Sequence, residues 1–270
     1  MKLIGITRLS LVTNKTLGAF RATKGKSLSD AKRIVFTKEK LEKRVKLFSN
    51  FCLPTYLSLI EADPDVHAIL LINGDLPEPY KGQIESLVST KSNIHLIEMG
   101  DDSDIASAAK AVISDIAYNE QVFTFRYDDD DCLPVNYAQM IKDRITPDAD
   151  QLVISLNKGY MLSRVGEHEF GINVRKYPLN AFGLGVVSAP NKIKTIFELG
   201  AHTKITIPTI HDTDNIGWLS AVHDENDSRI GPMLAPVSGP DKILEVTKNI
   251  FPQLTIDALY DLPFRRAPDA

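Results

Sequence analysis

Short apolar segments alternate with polar segments through the first 150 residues of the chain. Leu3 to Thr7 and Ala68 to Ile72 are apolar runs that end in polar residues or glycine, as buried strands do. The segments 93–99 (NIHLIEM) and 122–127 (VFTFRY) predict two further strands. Strands in this rhythm, separated by segments with helical spacing, indicate an open α/β sheet whose strands are mainly parallel.

Apolar residues at a 3.6-residue period predict the helices between these strands. One helix is expected between Leu41 and Cys52, and Pro54 should kink or end it. A second lies within 102–120, with Asp102 or Ser103 as its N-cap. The sequence therefore predicts one helix between the first and second strands and another between the third and fourth strands.

The pattern changes in two other parts of the chain. Thr13 to Arg33 is rich in Lys, Thr, Gly and Ser and predicts an exposed loop that could act as a lid. Beyond Asp150, short strand-like segments are separated by Gly and Pro, which indicates an antiparallel or mixed part of the sheet. These segments are QLVISL (151–156), EFGINV (169–174), AFGLGVV (181–187) and KITIP (204–208).

Composition narrows the class of protein. Apolar content of 43% and charged content of 24% are typical of a soluble globular chain. A net charge of -4 predicts no broad nucleic-acid-binding surface. Cys52 and Cys132 have no CxxC partner, which predicts reduced thiols. No apolar run approaches the roughly 20 residues of a membrane span, so we expect a cytoplasmic protein, with peripheral membrane association left open.

Four consecutive aspartates, Asp128 to Asp131, follow the strand predicted at 122–127. In extended geometry, Asp128 and Asp130 would point to one face, and Asp129 and Asp131 to the other. Two carboxylates about 5 Å apart repel by roughly 3 kcal/mol at an effective dielectric constant near 20. This acidic segment therefore needs a compensating partner.

Two partners can offset the repulsion. Solvent can do so in an acidic turn, with Asp131 capping a helix predicted at 134–144 that has Pro134 in its first turn. A divalent cation can do so as well, since Mg²⁺ and Mn²⁺ bind one or two carboxylates together with substrate phosphates. Open α/β sheets bind ligands beyond the carboxyl ends of their strands, and this position favours the cation.

The segment FRYDDDDCLP after an apolar strand resembles the Asp-x-Asp element of glycosyltransferases with the GT-A fold, in particular the rhamnosyltransferase family. Further segments are similar to that family's landmarks in the same order, and the set spans roughly residues 4 to 226: TRLSLV, RVKLFSNFCLPTYLSL, AILLINGDLP and WLSAVHDEN. The resemblance implies a GT-A-type, Rossmann-like mixed sheet flanked by helices. It also implies one catalytic domain over 1–270, with a nucleotide-sugar-binding half (1–150), an acceptor-binding half (151–240) and a C-terminal tail (241–270).

The resemblance also implies which residues contact the donor. Asp128 would face the ribose or the nucleobase, with Asp129 beside it. Arg8, at the end of the first strand, would contact the nucleotide, unless it is an ordinary surface arginine. Arg126 would contact a phosphate or pair with the aspartates that follow it.

The same resemblance implies a bound Mn²⁺ or Mg²⁺ ion. Asp130 and Asp131 would be its carboxylate ligands, and His223, in a helix-like turn, would be a further ligand. Asp212 and Asp214 are the candidates for the general base that an inverting transfer needs, with a solvated loop as the alternative for either one. The sequence leaves open whether the transfer inverts or retains the anomeric configuration. Trp218 is expected to fill the core, with sugar stacking as the alternative.

The sequence thus predicts a metal-dependent glycosyltransferase that moves a sugar from a nucleotide-sugar donor to a saccharide or glycolipid acceptor, in surface-polysaccharide synthesis. One alternative is a metal-dependent phosphatase or nucleotidyltransferase. Phosphatases of the haloacid-dehalogenase type carry their aspartates after the first strand, whereas these follow the fourth. Another alternative is a calcium-dependent carbohydrate-binding module, which would not require a parallel α/β half.

Overall fold

The computed structural model describes residues 1–18, 22–223, 226 and 237–264. Within these residues the chain forms a ten-stranded sheet with helices packed on both faces. The strands are β1 (Lys2–Arg8), β2 (Val66–Asn73), β3 (Ile94–Met99), β4 (Val122–Arg126), β5 (Asp131–Cys132), β6 (Leu152–Arg164), β7 (Phe170–Lys176), β8 (Gly185–Ser188), β9 (Thr209–Ala221) and β10 (Val237–Ser238). The helices are α1 (Leu28–Val35), α2 (Lys38–Leu47), α3 (Leu53–Ala62), α4 (Tyr80–Val88), α5 (Ile105–Ile116), α6 (Tyr137–Lys142), α7 (Pro240–Thr247) and α8 (Ile256–Asp261).

The sheet joins a parallel part to an antiparallel part. Its order is β10-β7-β6-β8-β4-β1-β2-β3, and β9 pairs with both β6 and the short β5. The neighbours β4, β1, β2 and β3 run parallel, whereas β8 pairs antiparallel with both β4 and β6. The predicted α/β fold with a mixed sheet flanked by helices is confirmed.

The parallel strands are apolar on both faces because each face is covered. In β2, Leu70 and Ile72 belong to the core beneath α3 and α4. Ile69 and Leu71 point to the opposite face and belong to the core beneath α5. Burial on both sides explains why this strand reads as a continuous apolar run.

The helix predicted between Leu41 and Cys52 continues past Pro54 instead of ending there. Five residues after α2, Phe48–Cys52, form a π-helical turn that leads directly into α3. Pro54 lies in the first turn of α3. The widened turn just before Pro54 breaks the regular i→i−4 hydrogen-bond pattern at the point where a proline cannot donate.

The segment from Thr13 to Arg33, predicted to be an exposed loop, is partly buried and partly helical. Thr13 and Thr23 are 0% and 1% exposed. Helix α1 begins inside the segment, and Lys32 Nζ lies 2.5 Å from Asp101 Oδ1, next to the end of β3. The exposed-loop prediction holds for residues 14–15, 18, 22 and 24–27 and is wrong for the buried threonines and for helix α1. Residues 19–21 lie outside the described part. Closure over a ligand stays a prediction.

Several predicted boundaries also differ from the structure. KITIP forms no strand, because a 3₁₀ turn (His202–Lys204) precedes it and β9 starts only at Thr209. Helix α6 starts three residues after Pro134, and the N-cap of α5 is Asp104, whose side chain accepts a hydrogen bond from Ser107 N. The turn-forming residues were recognised, but each helix begins slightly later than its first capping candidate.

Trp218 lies in strand β9 and is fully buried, which confirms its place in the core. Its Nε1 donates to Leu156 O at 2.9 Å. The ring covers Gly159 of β6, where a Cβ atom would lie 2.1 Å from the indole. An irregularity in the β6–β9 register at this point lets the ring lie flat over the strand.

The C-terminal segment packs on the antiparallel part of the sheet. Ile243 of α7, Phe251, and Leu259 of α8 share a core with Phe51 and Leu219. The predicted tail is therefore packed through residue 264, while residues 265–270 lie outside the described part. Both cysteines are buried free thiols. Among the described residues, no helix has the length and apolarity that a membrane crossing requires.

The glycine beneath Trp218 gives a stability prediction. Gly159→Ala should lower the free energy of unfolding by about 3 kcal/mol, because the added methyl group overpacks a buried indole. Urea denaturation followed by the fluorescence of Trp218, the single tryptophan, measures this directly. Gly18→Ala is the matched control, since its Cβ would meet nothing within 4 Å. Equal losses in both variants would contradict the overpacking.

A second stability prediction concerns His67 and His95, whose Nδ1 and Nε2 atoms lie 3.3 Å apart on β2 and β3. Burial, His95 and Lys2 lower the pKa of His67 to about 4, although Asp65 and Glu120 oppose the shift. Protonation then favours the unfolded chain, so this contribution to stability is lost as the pH falls from about 6.5 towards 4.

Comparison with His67→Gln isolates this effect, since acid-sensitive carboxylates are common to both proteins. The stability of the wild type relative to the variant should fall by about 1–2 kcal/mol between pH 7 and pH 5. Urea denaturation at each pH provides the measurement. A constant difference across this range would show that the imidazole pair does not govern acid stability.

Candidate active site at the carboxyl end of the parallel strands

The site begins where β1 and β4 end side by side. In the parallel register, Ile6 lies opposite Arg126, and Tyr127 N donates to Ile6 O at 3.2 Å. Two residues beyond this pair, Arg8 after Ile6 and Asp128 after Arg126 lie next to each other. Parallel strands thus place an arginine from one strand beside the first aspartate that follows the other.

Asp128 is held between two arginines. Arg126 Nη2 and Nε lie 2.8 Å and 3.2 Å from its two carboxylate oxygens, and Arg8 Nη2 lies 3.7 Å from Oδ1. Burial would raise the pKa of Asp128, but the charges of Arg126 and Arg8 lower it to about 2. Burial and the neighbouring Arg126 lower the pKa of Arg8 to about 10, so both ions remain charged at neutral pH.

Asp129 pairs with an arginine from a different part of the chain. Arg44 Nη1, on α2, lies 2.6 Å from Asp129 Oδ1 and 3.6 Å from Asp130 Oδ2. Asp129 Oδ2 is buried and has no hydrogen-bond partner among the described residues. Burial raises the pKa of Asp129 to about 7; Arg44 opposes the shift, and Asp130 adds to it.

The strict alternation of the four side chains is therefore not observed. Strand β4 ends at Arg126, and Asp129 and Asp130 both face the same guanidinium group. A turn before β5 breaks the extended geometry that the alternation assumed.

Sequence reasoning missed Arg44 as a site residue, although one signal was present. Arg44 follows the buried Leu41 by three residues and precedes the buried Leu47 by three, so it lies on the apolar face of α2. It also opens the landmark segment RVKLFSNFCLPTYLSL. A charged residue on the inward face of a helix indicates a partner within the fold.

Asp130 accepts hydrogen bonds from residues that follow β9. His223 Nε2 and Asn226 Nδ2 both lie 3.1 Å from Asp130 Oδ2. Asn226 Oδ1 in turn accepts a hydrogen bond from His223 N at 2.6 Å. The structure thus brings His223 to the aspartates, as the sequence predicted, but through the end of a strand instead of a helix.

Asp131 belongs to β5 and lies opposite Ser220 of β9, so it does not cap α6. It is 1% exposed, and its Oδ2 has no hydrogen-bond partner among the described residues. Burial and the charges of Asp130 and Asp128 raise the pKa of Asp131 well above its usual range. Tyr127 hydroxyl donates to the backbone oxygen of Asp131 at 2.6 Å and fixes the turn.

Asp212 and Asp214 lie at the other end of β9. Eight residues separate Asp212 from Ser220, which corresponds to roughly 25 Å along a strand. Asp212 pairs with Arg144 and accepts from Asp214 N at 2.9 Å, while Asp214 is exposed. Their assignment as the general base stays a sequence-based prediction that this geometry does not support.

The donor atoms present fit a hard divalent cation. Asp129 and Asp131 each have a buried oxygen without a hydrogen-bond partner among the described residues, and Asp130 Oδ2 lies 3.1 Å from Nε2 of His223. Oxygen ligands suit Mg²⁺, and a nitrogen ligand is accepted more readily by Mn²⁺. In the part of the chain that the structure describes, no three His, Cys, Asp or Glu side chains already converge as a preformed metal site.

A family comparison decides the class of the chain. The profile of the family described as "Putative rhamnosyl transferase" matches residues 2–234, which include every residue of the site. The chain belongs to this family. The predicted glycosyltransferase activity class is confirmed with it, whereas a search of curated proteins finds no significant match.

Solved structures similar to this member of the rhamnosyltransferase family are distant. The inositol-1-phosphate CTP transferase from T. maritima is 12% identical, with 93% of this chain and 97% of that chain covered and a TM-score of 0.38. TarS from S. aureus, in complex with UDP-GlcNAc, is 14% identical over 94% and 66%, with a TM-score of 0.38. An active-site mutant of LgtC is 9% identical over 97% and 100%, with a TM-score of 0.33. These similarities are too weak to transfer a substrate or a residue role.

Neighbouring aspartates should respond oppositely to neutralisation. Asp131→Asn should raise the melting temperature of EDTA-treated protein at pH 7, because it removes the cost of burying an acid whose pKa is raised and whose Oδ2 has no hydrogen-bond partner among the described residues. Asp128→Asn should lower it, because Arg126 and Arg8 would lose the anion that compensates them. Differential scanning fluorimetry gives both signs. Destabilisation by both substitutions would show that the charge of Asp131 is compensated in solution.

Proposed function

We propose that this glycosyltransferase is metal-dependent and transfers a sugar from a nucleotide-sugar donor to a saccharide or glycolipid acceptor in surface-polysaccharide synthesis. The observation that carries the proposal is the pair of buried carboxylate oxygens, Asp129 Oδ2 and Asp131 Oδ2, that lack partners in the described structure. Folding leaves these two oxygens without a hydrogen-bond donor, and a divalent cation would offset the cost of burying them.

The residues divide into two groups around that cation. Asp130, Asp131 and His223 would hold Mn²⁺ or Mg²⁺, and Asp129 would support them from the side of Arg44. When bound, the cation stabilises the negative charge that develops on the leaving diphosphate. His223 Nε2 already lies within hydrogen-bond distance of Asp130 Oδ2, so a side-chain rearrangement would let both residues bind the same metal ion.

The other group would orient the donor. Arg126 fixes Asp128 through two hydrogen bonds, and Arg8 adds a second positive charge beside it. A carboxylate held ionised in this way is a good acceptor for ribose hydroxyl groups or nucleobase N–H groups.

Binding tests separate the proposal from its alternatives. Nucleoside diphosphates and nucleotide sugars, including a rhamnose donor, should raise the melting temperature of the protein only with Mn²⁺ or Mg²⁺ present. Asp130→Ala should lose this metal-dependent shift and lower the affinity for Mn²⁺ at least tenfold in calorimetry, while its circular dichroism spectrum stays unchanged.

Asp214→Ala is the matched control, because it removes an exposed carboxylate at the far end of β9. It should retain metal binding and the metal-dependent melting shift. Equal losses in Asp130→Ala and Asp214→Ala would contradict the site. Pyrophosphate release would indicate a nucleotidyltransferase, acceptor-independent phosphate release a phosphatase, and Ca²⁺-dependent binding of free saccharide a carbohydrate-binding module.

A further inference from the structure

Arg44 is the cation that the described structure places against the two central aspartates. A single nitrogen, Nη1, lies 2.6 Å from Asp129 Oδ1 and 3.6 Å from Asp130 Oδ2. Arg8 and Arg126 are directed to Asp128 instead. Arg44 thus compensates the carboxylates that the proposed function assigns to the cation and its immediate surroundings.

We infer that Arg44 is a resident counter-ion of Asp129 and Asp130 that a divalent cation displaces, so that the Arg44 ion pairs and metal binding exclude one another. The inference rests on the proposed metal-dependent function. It adds a role for a residue that lies 84 positions before Asp128 in the chain.

Space is the first reason. Mg²⁺ and similar hard cations bind carboxylate oxygens at about 2.0–2.2 Å. Arg44 Nη1 already lies in hydrogen-bond contact with one of these oxygens and close to the second. A cation that bound Asp130 Oδ2 from the side of Asp129 would therefore overlap the guanidinium group.

Charge is the second reason. A cation that used the other oxygens of Asp129 and Asp130 would still lie within a few ångströms of Arg44, where like charges repel strongly in a partly buried site. His223 differs from Arg44 in this respect, because a neutral imidazole can turn its nitrogen lone pair towards a metal ion. Arg44 has no lone pair to offer and can only move away.

Exposure is the third reason. The Arg44 side chain is 28% exposed, whereas that of Arg8 is 6% exposed. Although Arg44 lies on the inward face of α2, its side chain is partly exposed and can rotate towards solvent without opening the core. The displaced guanidinium remains tethered beside the segment, where it can bind phosphate oxygens of a donor that arrives with the cation.

The experiment titrates EDTA-treated full-length protein with Mn²⁺ alone and measures free Mn²⁺ by electron paramagnetic resonance. Arg44→Gln should bind Mn²⁺ about tenfold more tightly than the wild type, because the competing charge is gone. Arg44→Lys, which retains the charge, should stay within about twofold of the wild type. A purely structural role for Arg44 would weaken binding and could not raise it.

Lys46→Gln is the matched control on the same helix. It removes one positive charge from α2, and the Lys46 Nζ atom lies 3.2 Å from Asp261, away from the aspartates. Its Mn²⁺ affinity should equal that of the wild type. Arg44→Met is titrated in parallel, so that a folding defect of Arg44→Gln, seen by circular dichroism, leaves a second neutral variant.

Two results would overturn separate conclusions. Unchanged or weaker Mn²⁺ binding by the folded neutral variants, with a wild type that binds Mn²⁺, contradicts the displacement of Arg44 and leaves the proposed function intact. If neither the wild type nor the folded neutral variants bind Mn²⁺, the proposed metal dependence fails, and the inference fails with it.

Discussion

The crowding of four carboxylates after β4 is the constraint on which the site depends. Asp128, Asp129 and Asp130 draw their partners from different parts of the chain, so the electrostatics hold distant elements together. Arg8 and Arg126 come from adjacent strand ends and meet Asp128, while Arg44 reaches Asp129 from α2. His223 reaches Asp130 from the end of β9. Displacing one of these elements would leave a buried charge without its partner, which is costly.

The compensation is uneven along the segment. Asp128 is ionised at low cost because two guanidinium groups face it, and its lowered pKa records this. Asp131 lies on a buried strand opposite Ser220 and keeps an oxygen without a partner in the described structure. A neutral side chain at that position would make the folded protein more stable. The cost of burying the Asp131 carboxyl group is consistent with its proposed role as a ligand of a metal ion that arrives with the substrate.

Local patterns predicted much of the fold. The parallel strands and α5 are read correctly because burial on both faces and a 3.6-residue period are properties of neighbouring residues. β9 was misread, since its first half, with Asp212 and Asp214, is polar and exposed. An irregular register beside Trp218 also interrupts its alternation. Asp214 and His223 lie only nine positions apart in the sequence, but the extended second half of β9 separates them.

For the site residues too, sequence patterns predict local features but not long-range contacts. Arg8, Arg126 and the aspartates could be placed from the sequence because parallel strands align their carboxyl ends. Arg44 could not be assigned a partner, because its contact with Asp129 spans 85 residues and depends on how α2 crosses the sheet. Periodicity indicates which face of a helix points inward but does not identify the residue it meets.

The balance of charge at this edge bears on how a donor would be recognised. Four aspartates lie among three arginines in the described structure, so the segment is close to neutral despite its composition. The diphosphate of a nucleotide sugar carries two negative charges, which one divalent cation cancels. A near-neutral complex entering a near-neutral site gains little from long-range attraction. Its affinity must come from short-range ligation and hydrogen bonds, and these require the side chains at the strand ends to be held in register.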